Sequence, residues 1–152
     1  MIWSKLPNKL SECILVALRD LEKCEKNPKY KINMRIWHSP EKRTEDGDYI
    51  PCNVCFAGAV MANTLKVKRS SSLNPSRFSK DVQYKLDALD EARVGHIENA
   101  LKPFSNSWNS KKIEEYFHTH GYGFDVAIYY KNPKKFKDDM RELATNLKEF
   151  GL

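Results

Sequence analysis

The residues most able to do chemistry are two cysteines, Cys52 and Cys55, in the run Cys52-Asn53-Val54-Cys55, and two histidines, His118 and His120. C-x-x-C spacing at the start of a helix supports redox chemistry, because the helix dipole and unpaired backbone N–H groups stabilise a thiolate. Two features weigh against that use: the preceding segment is polar rather than a buried strand, and no βαβ pattern surrounds the pair. Zinc is a second reading, with Cys52, Cys55, His118 and His120 as a tetrahedral Cys₂His₂ set, although His-x-His is shorter than the usual H-x₃₋₅-H spacing. A cysteine nucleophile is the third, with Cys52 at a helix start and His118 or His120 as its base. That chemistry requires the base to come within hydrogen-bond reach of the sulfur. The simplest reading is favoured over all three: the cysteines lie a turn apart and pack a small-residue helix, and His118 to Gly121 form a helix exit. No catalytic set is complete, and no metal or other cofactor is favoured.

A second cluster carries charge rather than nucleophiles. Lys66 to Lys80 contains five cationic side chains and no acid, within a chain of net charge +6. Lys66, Lys68, Arg69 and Arg77 are the candidate binding residues of this segment, and its Ser/Asn/Pro content predicts a mobile loop over about 66–78. Such a loop can neutralise phosphates, with Phe78 or Trp108 stacking on bases. No recognition-helix motif, RNP-type strand or paired zinc knuckle accompanies it. A short basic run is more often a solvated loop or a protein-docking surface, so a protein partner is expected ahead of nucleic acid.

Elements of ordinary kinds must position these groups. A chain of 152 residues is near the usual size of one domain, so 1–152 is expected to share one core. Charged residues at 30% and hydrophobic ones at 41% match globular usage, and the seven phenylalanines, seven tyrosines and three tryptophans argue against disorder. No apolar run approaches the roughly 18 residues that span a bilayer. The segment Met1-Ile2-Trp3-Ser4-Lys5-Leu6-Pro7 lacks the apolar stretch of a signal peptide. Reduced thiols, a cytoplasmic location and no membrane partner are therefore expected.

Leu10, Cys13, Ile14, Ala17, Leu18 and Leu21 form the stripe of an amphipathic helix, capped by Asn8 and ending before Asn27-Pro28. Tyr30, Ile32, Met34 and Ile36 alternate with polar residues, predicting a strand over 30–37. His38 to Asp48 reads as an exposed loop. Pro51 suits the first position of a central helix running to Ala62, buried on several sides and carrying both cysteines. Ser79 caps a helix bearing Val82, Leu86 and Leu89, stopped by Gly95. Short helices follow over His96–Lys102 and from Ser110 to about Phe117. A second strand is expected over 124–130. Asn132-Pro133 then opens a terminal helix with Phe136, Met140, Leu143, Ala144 and Leu147 on its inner face. The expected class is α+β, predominantly helical with a small sheet.

Three segments carry a resemblance: Ala17-Leu18-Arg19, the cysteine-bearing Cys55-Phe56-Ala57-Gly58-Ala59-Val60, and Leu86 to Ala100. They resemble the "ALRSGKY", "CCLGVL" and "LxxLNDxGxxFxxIAxxI" stretches of small phage and prophage proteins, and the chain's Lys/Asn-rich style resembles small accessory proteins of T-even-like phages. The similarity covers the first two thirds, with an insertion around Lys23 to Pro28 and an extra strand–helix tail. It implies an accessory protein acting inside an infected bacterium and supplies no catalytic residue. With the incomplete catalytic set and the basic loop, it leads to the expectation of a non-enzymatic protein that binds a host or phage macromolecule, most often a protein. The alternatives are a cysteine-dependent enzyme centred on Cys52 and a nucleic-acid-binding protein.

Overall fold

The computed structural model describes residues 6–71, 75–104, 110–121 and 128–152. Helix α1 (Leu10–Lys26) buries the stripe read from its sequence, Leu10, Cys13, Ile14, Ala17, Leu18 and Leu21, with Cys24 continuing it. Its cap is Lys9 rather than Asn8. The Asn8 side chain is taken by the ammonium of buried Lys85, which donates to Asn8 Oδ1 at 3.1 Å and to the Leu6 carbonyl at 3.2 Å. A buried cation needs oxygen acceptors, and that demand outcompetes a helix cap.

Strand β1 (Tyr30–Ile32) stops five residues short of the predicted end. Asn33 ends it: its Oδ1 accepts from Arg35 N–H at 3.1 Å and its carbonyl from Ile36 N–H at 3.1 Å, closing a turn. The expected loop over His38 to Asp48 instead contains β2 (His38–Ser39) and β3 (Lys42–Arg43), the latter paired as a hairpin with β4 (Tyr49–Ile50). Gly47, at φ 85°, makes the hairpin's tight turn, and Thr44 Oγ1 accepts from Asp48 N–H at 3.0 Å.

The expected central helix divides in two. Cys52–Val54 form strand β5, and helix α2 (Phe56–Ala62) begins only after Cys55, its N-cap. Strand pairing wins because β5 is the middle strand of a three-stranded sheet, parallel to β1 and antiparallel to β2. Every side chain of α2 is buried. Its contact with the sheet explains Gly58: a β-carbon there would sit 1.6 Å from the Trp37 carbonyl oxygen, so only glycine allows this approach.

Helix α3 (Lys80–Arg93) is capped by Ser79, whose Oγ accepts from Val82 N–H at 3.4 Å. It ends in a Schellman turn at Gly95, φ 84°, with His96 N–H donating to the Glu91 carbonyl at 2.9 Å. Helix α4 (Ile97–Leu101) runs into a 3₁₀ turn through Phe104, and α5 spans Ser110–His120. Of the second predicted strand, 124–127 lie outside the described residues. Ile128 to Tyr130 are not strand: the Ile128 carbonyl accepts from Lys131 N–H at 3.1 Å in a turn. Helix α6 (Pro133–Glu149) is capped by Asn132 Oδ1, which accepts from Lys135 N–H at 3.0 Å, and buries the five residues expected of it. It packs along α1, and Phe136 meets Phe56 of α2 edge-to-face at 5.6 Å. The buried residues form one core cluster, in an α+β fold of mostly helix with a small sheet. No helix among the described residues is long and apolar enough to cross a membrane.

Candidate functional site

Among the described residues, Cys52 and Arg69 each sit in a cluster of polar groups, and β5 lies behind the first. Inward-facing Cys52 of β5 is fully buried, and β2 lays His38 beside it, with Cys52 Sγ and His38 Nε2 3.5 Å apart. His38 is 6% exposed. Burial pushes the Cys52 thiol up to about 12, reinforced by Cys24 and Glu41 and opposed by Arg69. Burial holds the His38 imidazole below its ordinary value, partly offset by the backbones of Ser71 and of His38 itself. Both partners are thus driven to their neutral forms, the opposite of the thiolate–imidazolium pair of a reactive cysteine.

The other thiols follow the same rule. Cys55 is buried, and its Sγ accepts from Gly58 N–H at 3.2 Å, yet burial still raises it to about 11. Cys24 and Cys13 stand at about 11 and about 12 for the same reason. All four cysteines are free thiols. The C-x-x-C pair is therefore split between a strand and a helix cap, and Cys52 has no helix N-terminus to lower its pKa.

The histidines read with Cys52 lie elsewhere. His120 packs on Tyr116 and Phe150, with ring centroids 4.9 and 5.6 Å away, and His118 borders a cleft with Lys111, Glu115 and Phe150. Among the described residues no three histidine, cysteine or acidic side chains are grouped to hold a metal, so Cys52, Cys55, His118 and His120 do not form the tetrahedral set. The base beside Cys52 is His38, placed in the sequence reading within an exposed loop.

The second place is an open cleft of about 520 Å³ between the β3–β4 hairpin, the turn before β1 and the segment after α2. Lys29, Lys42, Arg43 and Arg69 line it around a single carboxylate, Glu41, and the Tyr49 ring. Glu41 Oε2 accepts from the Tyr49 hydroxyl and from Arg69 Nε at 3.0 Å. The Glu41 N–H donates to the Arg69 carbonyl at 2.8 Å, which fixes the two segments side by side. Arg43 lies 5.6 Å from the Tyr49 ring centre, over its face. The Tyr49 bond, then Arg69, holds the Glu41 carboxyl below its usual range, and Glu41 in return raises Tyr49 and Arg69.

Among the described residues of the basic segment, Arg69 alone lines this cleft. Val67 turns into the core between exposed Lys66, at φ 56°, and exposed Lys68; Arg77 is exposed on a 3₁₀ turn. Residues 72–74 of the segment lie outside the described residues, as does Trp108. Phe78 packs against the core. Lys29, Glu41, Lys42, Arg43 and Tyr49 were not singled out by sequence reasoning, although Lys42-Arg43 beside Asp46-Gly47 is a basic pair next to a hairpin signal. No protein-family model, curated protein or solved structure matches the chain.

Proposed function

We propose that this is a non-enzymatic accessory protein, acting in the cytoplasm of a phage-infected host, whose basic cleft binds an acidic segment of a host or phage protein. The observation that carries the reading is the cleft itself: among the described residues, four cations and one acid line an open concavity of about 520 Å³. An acidic partner gains from complementary charge in both encounter rate and register. The phage setting is supported by the resemblance of the α1, α2 and α3 segments. A protein is favoured over nucleic acid because Phe78, one of the two aromatics read from the sequence for base stacking, is packed against the core, and the Tyr49 ring of the cleft is engaged by Arg43 and Glu41.

The test is affinity capture from bacterial lysate, with and without nuclease, using the wild-type chain and the Lys42→Glu/Arg43→Glu double variant. A stoichiometric protein partner that survives nuclease and is lost from the double variant is the expected result. Loss of every partner on nuclease treatment, or equal capture by both chains, would sink the reading.

A second reading, an enzyme centred on Cys52, has the 3.5 Å contact with His38 in its favour. Against it stand the burial of both groups and the raised thiol pKa. Measuring alkylation of the native protein by iodoacetamide separates the two. Slow modification of Cys52, matched to global unfolding, is expected; fast modification at neutral pH would restore the enzyme.

A further inference from the structure

Glu41 sits on its donors as a bound anion would. Two donors from separate elements, the Tyr49 hydroxyl of β4 and Arg69 Nε of the segment after α2, converge on one oxygen, Oε2. The Glu41 backbone is anchored independently, by its N–H on the Arg69 carbonyl. Rotation of the side chain alone therefore vacates both donors without moving β3. The side chain is 26% exposed and that of Arg69 34%, so solvent and a partner both reach the pair. A partly exposed ion pair contributes modestly, and exchange for another carboxylate restores what is lost.

We propose that Glu41 is a built-in competitor: it holds the Tyr49–Arg69 donor pair in the free protein, and a carboxylate of an acidic peptide displaces it on binding. The inference rests on the cleft being the binding face. It specifies the ligand as a peptide with several Asp or Glu side chains. One of these replaces Glu41 on Tyr49 and Arg69, and its neighbours face Lys29, Lys42 and Arg43. The donors already accommodate a carboxylate oxygen, so the incoming group meets a formed site. Glu41 also sets a threshold: an isolated carboxylate gains little over the internal one, and only an acidic run that engages the remaining cations wins.

The experiment is a fluorescence-anisotropy titration of the full chain with a labelled oligoglutamate peptide and, in parallel, a labelled single-stranded oligonucleotide. Glu41→Gln keeps the side chain's size and removes its charge, and is expected to tighten peptide binding roughly fivefold, the scale of one exposed charge interaction. Glu41→Ser, a second variant that leaves the donors empty, is expected to tighten it as well. Adding Arg69→Gln to Glu41→Gln is expected to cancel the gain. Peptide binding by wild type that is equal or weaker in both Glu41 variants overturns the competitor and leaves the cleft reading standing. No peptide binding by any of these chains overturns both. Tighter binding of the oligonucleotide than of the peptide, with the same gain on losing Glu41, overturns the peptide as ligand.

Discussion

The Cys52–His38 contact and the Glu41–Tyr49–Arg69 cluster are both polar arrangements assembled from distant parts of the chain, and they differ in solvent. In the first, two groups with nucleophilic potential are walled in by β5, β2 and α2, and desolvation drives each to its neutral form. In the second, Glu41 and Arg69 remain partly open to solvent and keep their charge. Residue type alone suggests the cysteines as the reactive feature. Burial reverses that order, because chemistry on a thiol needs the thiolate and access, whereas recognition of an anion needs exposed donors already in place.

The largest effect is expected on opening the walls of the buried pair. Gly58→Ala forces a methyl group against the Trp37 carbonyl, immediately before His38, and neither backbone can withdraw without disturbing the sheet. A loss of about 3 kcal/mol in urea denaturation is expected, at the upper end for overpacking. Cys52→Ser is milder. It places a hydroxyl in the same enclosed position, and a loss of about 1–2 kcal/mol is expected by the same measurement, with peptide binding unchanged.

Acid separates the two regions by where each responds. His38 is held below its ordinary value of 6.5 in the folded chain, so between that lowered pKa and 6.5 the unfolded chain binds more protons. Its contribution is complete above 6.5 and is lost as pH falls through that window. Glu41 is held below its ordinary 4.5, so the stability from its bonds is present above that value and is lost only as pH falls through its lowered folded pKa. Denaturation curves of wild type and His38→Gln across mildly acid pH are expected to diverge in slope, that of the variant being flatter. Identical slopes would place the loss elsewhere. Smallest of all is the expected stability change in Lys42→Glu/Arg43→Glu, within about 0.5 kcal/mol at exposed positions, read from the thermal midpoint.

Much of the helical frame was legible in the sequence because its signals are local. The α1 stripe, the Ser79 and Asn132-Pro133 starts and the glycine stop at Gly95 each depend on neighbours within a turn or two. Beyond the start of β1 at Tyr30, the sheet was not legible, for the converse reason. A short apolar run such as Pro51 to Ala62 suits a buried helix and a buried strand alike, and only pairing with β1 and β2 decides between them. Strands of two and three residues leave no period to detect. The sites suffered most. Arg69 stood out within a basic run, but its partner Glu41 is 28 positions away, and the imidazole beside Cys52 comes from 14 positions away rather than from His118 or His120.

Function lies in the exposed cleft and structure in the buried thiol, and oligoglutamate binding by Cys52→Ser and by Lys42→Glu/Arg43→Glu, measured side by side, is the direct test. Retention of wild-type affinity by the cysteine variant, with a loss of roughly tenfold or more in the charge-reversed one, is the predicted result. Loss of binding in Cys52→Ser and its persistence in Lys42→Glu/Arg43→Glu would contradict the account.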